Sequence, residues 1–598
     1  MCGIFFKTNY HCKCDHKKFE DALELLNHRG PDETGILYTN DYSFGHKRLS
    51  IRDIENGHQP MSVINNHLIY NGELYNVLEL KNLLKKRNVS LESNGDTLLL
   101  LKLLNEYKMD ALNYLNGIFA FVYTDSENVY AVRDMFGVKP LYYTIYKDDL
   151  IVASEIKSIL KYIGEAVVDK DGLCELLGMG PSHSQGKTVY KNIYEVKPGH
   201  MLIYNKNGLK ITQYYKLKAK KHNLNYEQTV FKVRALLDKA IRRQMVSDVG
   251  IATFLSGGLD SSIISTVMAK YNQGIKTYSI DYEDNMSDFK PNDFEITSDR
   301  DYVKLVSDAI KSEHTNVVID NATLIKNLTK AVDLKDSPGM TDIDSSMIYI
   351  ASRIRDKNKV AASGEVADEI FGGYPWYYKD VHELKTFPWI RNIDFKEELL
   401  KSDIKNKLKL SEYVQNEYIK AIKEAPILAS DSKLDIKHRQ LCYLNIKYFM
   451  TNLLDRKDRM TMGESLEVRV PFCDKDLVEF LYNVPFKYKY RNKVEKKLLR
   501  DAYKDVVIKE VIDRKKSPYP KSNSKKYDQE IRNIVLNILD NDDSILNLLF
   551  DKEKLISFIN NDDLDVPWYG QLMRKTAWLA YLYQLDYWYK KYNVRIEI

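Results

Sequence analysis

The 598-residue chain has little cysteine, no long uncharged apolar run and almost balanced charge. Six cysteines, at positions 2, 12, 14, 174, 442 and 473, are too scattered for a disulfide framework. Without a membrane-length apolar run or a signal peptide at the N-terminus, the sequence predicts a cytoplasmic protein with no membrane partner. The net charge of +5 gives no reason to expect a nucleic-acid partner. We interpret the His11–His16 segment as a polar surface turn rather than a metal clip.

The chain is too long for one hydrophobic core, and its pattern changes once along its length. In residues 1–215 short apolar strands alternate with turns, as in Ile118–Tyr123 followed by Val129–Val132. A polar, basic stretch follows at 216–225. From 226 onward amphipathic helices, such as the one predicted at Val230–Met245, alternate with isolated buried strands such as Ile251–Leu255 and Lys276–Tyr282. We therefore predict an α+β domain over 1–215, a linker at 216–225 and an α/β parallel-sheet domain over 226–598.

The second residue is a candidate nucleophile. Once Met1 is removed, the α-amine of Cys2 lies beside its own thiol. An α-amine with an ordinary pKa near 8 can act as a general base at neutral pH without a histidine. A chance cysteine at this position is the alternative, and the dipeptide alone does not exclude it.

Polar residues elsewhere in the first 215 residues supply what hydrolysis of an amino-acid amide needs. The planar fork of Arg48 suits an α-carboxylate, and Glu73 or Asp96 suits an α-ammonium. The Asn71 side chain and the Gly72 N–H can stabilise a tetrahedral oxyanion. Each residue alone could equally belong to a surface turn or a salt bridge. As a set they indicate an amide hydrolase.

A second candidate site is the Ser-Gly-Gly-Leu-Asp-Ser-Ser string at 256–262. It lies between the strand Ile251–Leu255 and a helical run, so it can present free backbone N–H groups to an anion. It lacks the lysine and spacing of a Walker A loop. Because Asp260 would repel phosphate, the string predicts Mg²⁺ between them. A second strand, Val360–Ala362, ends in Ser363-Gly364-Glu365, where ligands collect in an open parallel sheet.

These segments resemble known families. Met1–Ile4, His28–Asp32, Arg48–Ile51 and Asn71–Glu73 resemble the class II glutamine amidotransferases, which have an N-terminal-nucleophile αββα sandwich. The 256–262 string resembles the pyrophosphate loop of ATP pyrophosphatases. With Leu454–Met462 and Ser465–Asp474, the chain resembles the glutamine-hydrolysing asparagine synthetase family over most of its length.

The resemblance implies roles for individual residues. Catalysis would involve Cys2, Asn71, Gly72, Glu365 and Lys496. Glutamine would be bound by Arg48, Leu49, Ser50, Ile51, Arg52, Asn71, Gly72, Glu73 and Asp96. ATP would be bound by Leu255, Ser256, Gly257, Gly258, Asp260, Ser261, Ser262, Ile280, Ser363 and Gly364. Arg469 would hold aspartate, and Asp260 and Asp368 would hold Mg²⁺.

The implied reaction joins the two sites. Glutamine hydrolysis at Cys2 gives ammonia, ATP and Mg²⁺ adenylate the aspartate side chain, and ammonia yields asparagine, AMP and pyrophosphate. Glutamine, aspartate and ATP are then the partners, and a homodimer is compatible with this interpretation. One alternative is the same architecture acting on another carboxylate, such as a cell-surface sugar acid or a peptide. A β-lactam synthetase-like enzyme and a non-catalytic sensor are less compatible with Cys2, Asp260 and Asp368.

Overall fold

The computed structural model describes residues 2–598 except 94, 284–298, 380, 382–383, 518, 521, 523, 562–564 and 566. Its first part contains two six-stranded antiparallel sheets. The first sheet has the order β11-β8-β9-β1-β3-β2 and the second β13-β12-β7-β6-β5-β4. The strands run over β1 Cys2–Thr8, β2 Glu33–Tyr38, β3 Tyr42–Arg48, β4 Met61–Val63, β5 Asn66–Leu74, β6 Gly117–Thr124, β7 Val129–Arg133, β8 Tyr142–Tyr146, β9 Asp149–Ala153, β10 Val167–Asp169, β11 Tyr194–Glu195, β12 His200–Asn205 and β13 Gly208–Gln213.

The two sheets pack face to face with helices outside. Alternation along β1 sends Ile4 and Phe6 into a fully buried layer that also contains Ile69 and Val122 of the second sheet. Phe5 points the other way, onto Phe19 of an outer helix, with ring centroids 4.8 Å apart. The helices of this part are α1 His16–Glu24, α2 Val77–Lys85, α3 Asp96–Tyr107, α4 Ile156–Ile163 and α5 Lys170–Cys174, with short 3₁₀ turns at Asn27–Arg29 and Lys108–Asn113 and a π turn at Glu175–Met179. The predicted αββα sandwich is confirmed.

The second part is built on a five-stranded sheet of order β16-β15-β14-β17-β18, in which every neighbouring pair is parallel. Its strands are β14 Ile251–Phe254, β15 Lys276–Tyr282, β16 Glu313–Ile319, β17 Val360–Ala362 and β18 Glu467–Arg469. Helices connect the strands, as parallel pairing requires. The predicted α/β parallel-sheet fold with added helices is confirmed.

The helices of the second part begin with α6 Tyr226–Arg243 and α7 Leu259–Ala269. The remaining ones are α8 Asp299–Ile310, α9 Asn321–Lys335, α10 Asp342–Arg355, α11 Ala367–Phe371, α12 Ile393–Leu399, α13 Ser402–Leu408, α14 Leu410–Lys423, α15 Lys433–Leu444, α16 Thr451–Met462, α17 Lys475–Tyr482, α18 Phe486–Lys489, α19 Lys497–Tyr503, α20 Lys509–Asp513, α21 Lys525–Leu539, α22 Ile545–Leu549, α23 Lys552–Asn560 and α24 Lys575–Lys591, with short 3₁₀ turns at Pro375–Tyr377 and Pro471–Cys473. A π segment at Asn445–Met450 joins α15 to α16 without a break. Within the described residues, no helix is both long and apolar enough to cross a membrane.

The end of the chain packs against the first part of the molecule. The last strand, β19 Arg595–Glu597, pairs in parallel with β10. Between β13 and α6 the chain has no regular element, and Asn483 of the α17 C-terminus holds it by accepting from Lys220 N–H and donating to the Lys218 carbonyl. The pairing of β19 with β10 fastens the end of the second part to the first, and Asn483 holds the connecting segment against α17.

Candidate active site

Cys2 and Asn71 meet where the two sheets of the sandwich face each other. The backbone N–H of Cys2 donates to Asn71 Oδ1 at 2.9 Å, although the residues lie on β1 and β5 of different sheets. Asn71 Nδ2 is buried without a hydrogen-bond partner in the described part of the chain. Burial raises the pKa of the Cys2 thiol, which the N-terminal charge and Arg48 lower in part. The thiol is therefore protonated at neutral pH and needs a base beside it.

A cluster of acids and an arginine lies on the same face of β5, because Glu73 is two residues from Asn71. Arg52 Nη1 lies 3.3 Å from Glu73 and 3.9 Å from Asp96. Asp96 also accepts from the Tyr70 hydroxyl and the Leu74 N–H, each at 3.0 Å. Burial and the neighbouring Asp96 raise the pKa of Glu73 to about 8, against the opposing effect of the arginines. Two arginines therefore approach this pair of acids, Arg52 at both carboxylates and Arg469 at Glu73.

The segment Arg48–Arg52 lies next to Cys2, since Cys2 pairs with Arg48 between β1 and β3. The Leu49 N–H lowers the thiol pKa, and the Ser50 N–H donates to Asp32. Leu49 and Ile51 are buried. Arg48 itself is held by Glu33 at 3.0 Å and by the carbonyls of residues 53 and 54. If the α-carboxylate of glutamine binds Arg48, it would therefore share the guanidinium of Arg48 with Glu33.

Gly72 and Arg469 make contacts with neighbouring segments that the motifs alone did not predict. Gly72 needs to be glycine because a Cβ would lie 2.3 Å from the carbonyl oxygen of Ile118 on the neighbouring strand, and the role of its N–H stays a prediction. The guanidinium of Arg469 is held by Glu467 at 2.7 Å, by the Gln244 carbonyl at 2.7 Å and by Glu73 at 3.5 Å. Arg469 therefore lies in the cluster around Glu73, and its assignment to aspartate stays a prediction.

The 256–262 string forms a loop between β14 and α7. Ser261 Oγ lies 3.0 Å from Ser256 Oγ and accepts from the Ser256 N–H at 3.1 Å, which draws the loop into a nest at the start of the helix. Gly257 has φ +69°, and a Cβ there would lie 2.7 Å from Tyr302. The loop thus has the form expected of an anion-binding helix N-terminus.

Beside this loop two carboxylates share lysines. Lys496 Nζ lies 2.6 Å from Asp260 and 2.5 Å from Asp368, and Lys516 Nζ lies 2.7 Å from Asp368. The two lysines hold the pKa of Asp368 down at about 2. Asp260 and Asp368 are therefore close enough to bind one cation together. Lys496 is placed by a left-handed backbone, φ 52°, just before α19.

A cavity of about 570 Å³ opens at this edge of the parallel sheet. It is lined by most of the residues predicted for the nucleotide: Leu255, Ser256, Gly258, Asp260, Ser261, Ile280, Ser363, Gly364, Glu365, Asp368 and Lys496. Of the predicted ATP-binding residues, Gly257 and Ser262 lie outside its lining. The sheet order gives the cavity two ends, with Ile280 and Asn316 on the β15–β16 side and Glu365 on the β17 side.

The β17 side carries a charged pair that the motifs alone did not assign. Glu365 Oε1 lies 2.9 Å from Arg456 Nη2 and 3.1 Å from Lys457 Nζ, both on α16. Val366, the next residue along the chain, adopts φ +79°, a strained conformation for a β-branched side chain. This backbone conformation lies at the turn from β17 into α11, next to Glu365 at the cavity wall. The sequence also provided no indication that Lys516 contacts Asp368, because two adjacent lysines in a loop form no recognisable motif.

A buried cysteine at the start of a two-sheet sandwich and a serine–glycine loop at a parallel sheet are the two halves of a glutamine-dependent amide ligase. Residues 1–215 match the family described as glutamine amidotransferase domain, and residues 232–590 match that described as asparagine synthase. The chain is 40% identical to glutamine-hydrolyzing asparagine synthetase 3 of Bacillus subtilis, with all of both chains covered. It is 30% identical to glutamine-hydrolyzing asparagine synthetase 1 of that organism, with 87% of each chain covered. It is 26% identical to amidase chry2 of Gibberella zeae, with 84% of each chain covered.

The chain belongs to the glutamine-hydrolysing asparagine synthetase family, whose members are ATP-using ligases.

Proposed function

We propose that this enzyme transfers the amide nitrogen of glutamine to the side-chain carboxylate of aspartate, with ATP cleaved to AMP and pyrophosphate. Residues 1–215 would form the glutaminase domain, 216–225 the linker and 226–598 the synthetase domain. What carries the proposal is the cavity at the parallel sheet, where separate segments of the chain bring a phosphate-type loop, paired carboxylates and lysines together.

In the first half-reaction the Cys2 thiol attacks the glutamine side-chain amide. After removal of Met1, the α-amine held at Asn71 Oδ1 takes the thiol proton and passes it to the leaving ammonia. The unpartnered Asn71 Nδ2 donates to the oxyanion. Glu73 and Asp96 receive the α-ammonium of glutamine, and Arg48 its carboxylate. Water then cleaves the thioester to glutamate.

In the second half-reaction an oxygen of the aspartate side chain attacks the α-phosphorus of ATP, and the bond to the β-phosphate oxygen breaks. Ammonia attacks the acyl carbon, the bond to AMP breaks, and a proton leaves. The loop at 256–261 and Lys496 hold the phosphates at one side, while Arg456 and Lys457 hold a carboxylate at the other. Glu365 lies where it can accept the proton from the attacking nitrogen.

The residues fit a Mg²⁺ ion, since Asp260 and Asp368 approach one lysine nitrogen at 2.6 and 2.5 Å. Bound there with ATP, Mg²⁺ would neutralise phosphate charge. Within the described residues there is no cluster of three or more His, Cys, Asp or Glu side chains suited to a metal, so phosphate and water oxygens would complete its shell.

Ammonia released into water at neutral pH would be mostly protonated and unreactive. We therefore propose that it reaches the acyl-adenylate through a sheltered passage between the two domains. An enzyme that releases all its ammonia to solvent during turnover would contradict this passage.

Pyrophosphate release tests the proposal. It is followed with ATP, Mg²⁺ and glutamine, adding aspartate, glutamate, a sugar acid or a peptide acid in turn. Aspartate should give a higher kcat/KM than glutamate or the sugar acid, with asparagine formed in step with pyrophosphate. A higher kcat/KM with a sugar acid would instead favour the alternative acceptor.

A further inference from the structure

The acceptor end of the cavity carries apolar side chains that the charged groups of free aspartate do not need. Beyond Glu365 and Arg456 its lining includes Met340, Trp376, Phe449, Leu453 and Leu572, which we call the acceptor lobe. Trp376 and Phe449 meet edge to face with ring centroids 5.6 Å apart. Lys516, which contacts Asp368, also lies 5.1 Å from the ring of Tyr374 beside them. The lobe therefore begins directly at the candidate reaction centre.

The nucleotide does not account for this lobe. The sheet order places Ile280 and Asn316 at the opposite end, on β15 and β16, with the phosphate loop between the two ends. The lobe lies on the β17 side with Glu365, together with the helix that carries Arg456 and Lys457. Whatever fills it must therefore enter with the acceptor acid.

Free aspartate matches the lobe poorly. Its α-carbon carries an ammonium and a carboxylate, and a charge placed against aromatic and aliphatic side chains loses its hydration without a partner. An apolar group in the same space would be stabilised by about 25 cal/mol for each Å² it buries. Aromatic walls add a further preference for a ring.

One polar group stands within this wall. Gln571, in the segment that also carries Leu572, lines the cavity, and in the described part of the chain its side-chain Nε2 has no hydrogen-bond partner. The segment is fixed from both sides, because the Gly570 N–H donates to the Trp389 carbonyl and Asn452 Nδ2 donates to the Tyr569 hydroxyl. A buried amide donor of this kind matches the carbonyl oxygen of an acyl or peptide group.

We infer that the synthetase site accepts aspartate whose α-nitrogen carries an apolar acyl group, as in an N-acylated or peptide-linked aspartate. This inference rests on the proposed function. The bond changes are those of the aspartate reaction: the side-chain carboxylate forms the acyl-adenylate with release of pyrophosphate, and ammonia displaces AMP with loss of one proton. The apolar acyl group occupies the acceptor lobe, and its carbonyl accepts from Gln571.

The full-length enzyme is assayed with ATP, Mg²⁺ and ammonium, following AMP and the amide product by mass. The acids compared are L-aspartate, N-acetyl-L-aspartate and N-benzoyl-L-aspartate. We expect kcat/KM for the benzoyl compound to exceed that for the acetyl compound at least tenfold, because only the ring reaches the lobe. Amidation of aspartate alone overturns this inference and leaves the proposed function standing, whereas amidation of no acid overturns both.

Leu572→Glu tests the location, since it buries a carboxylate in the lobe. The ratio of kcat/KM for N-benzoyl-aspartate to that for aspartate should fall at least tenfold, and Leu572→Ala should lower it in the same direction. Leu548→Glu, at a side chain 44% exposed on α22, is the matched control and should leave the ratio unchanged. Glutaminase activity reports that each variant is folded. A ratio that does not change in either Leu572 variant overturns the inference.

Discussion

Arg29 Nη2 lies 2.7 Å from Asp458 Oδ2, and both side chains are almost completely buried. Arg29 comes from the glutamine amidotransferase segment and Asp458 from the asparagine synthase segment. The same guanidinium donates through Nε to the Cys2 carbonyl at 3.1 Å. Lys457, adjacent to Asp458, contacts Glu365 in the cavity. A short chain of contacts therefore joins the nucleophile strand to the acceptor end of the synthetase cavity.

Asp458→Asn should weaken this connection. Arg29 and Lys139, which lies 3.0 Å from Asp458, would both lose a buried counter-charge, and loss of one partner of a buried pair costs about 3–5 kcal/mol. We expect a lower free energy of unfolding and less asparagine formed per glutamate released, while synthesis from added ammonium changes less. Glutamate and asparagine measured in the same reaction give the ratio.

Lys359→Met is the control for that variant. Lys359 lies 2.7 Å from Asp32 and links the same two segments, but both side chains are about one quarter exposed. Such pairs contribute about 1 kcal/mol or less. If Lys359→Met lowers the asparagine formed per glutamate released as much as Asp458→Asn does, loss of any contact between the two segments has this effect. That result would contradict a special role for Arg29 and Asp458.

Cys2→Ala should abolish glutaminase activity and glutamine-dependent synthesis. Synthesis from ammonium salts should persist, because the cavity at the parallel sheet contains no atom of Cys2. Product formation is compared with each nitrogen source at saturating ATP. Glutamine-dependent synthesis in Cys2→Ala would exclude the thiol as nucleophile.

Lys496→Met should reduce amide synthesis by about 10²–10³-fold, as expected when a preorganised charge is removed from a developing phosphate anion. Glutamine hydrolysis should continue, since Lys496 lies with Asp260 and Asp368 at the other site. AMP and glutamate are measured in parallel. Unchanged AMP formation would remove Lys496 from the catalytic residues.

Lys396 should make stability depend on pH. Burial lowers the pKa of its ammonium from 10.5 to about 7; it donates to the Leu177 carbonyl and lies over the Trp568 ring. Because the unfolded state binds the proton more tightly, the cost of burial is full below pH 7 and falls as pH rises toward 10.5. Lys396→Met should therefore stabilise the protein by about 1–4 kcal/mol at pH 6–7 and by less at pH 9. The free energy of unfolding of both proteins is measured by denaturant titration at each pH. A stabilisation of Lys396→Met that grows with pH would contradict this.

The sequence predicted the parts of the fold whose patterns are local. The strands Lys276–Tyr282 and Val360–Ala362 were placed correctly because each is an apolar run bounded by turn signals. The helix predicted at Val230–Met245 begins earlier, at Tyr226, because Asn225 and Gln228 form a capping box that periodicity alone does not reveal. The loop at 256–262 could be predicted because its strand, glycines and helix are consecutive.

The rest depends on contacts between distant segments. The ion pair between Arg469 and Glu73 joins β18 to β5, which the sequence separates by almost 400 residues. Lys516 and Gln571 reach the cavity from loops that have no periodic or motif signal. Whether such residues face a ligand is decided by the arrangement of helices around the sheet, which no local pattern encodes.

The most direct test follows the nitrogen atom. The wild-type enzyme is given glutamine labelled with ¹⁵N at the side-chain amide, together with aspartate, ATP, Mg²⁺ and unlabelled ammonium at low concentration. The account predicts asparagine with ¹⁵N in its amide, and glutamate, AMP and pyrophosphate in equal amounts. Glutamate without AMP and labelled asparagine, or none of these products, would contradict it.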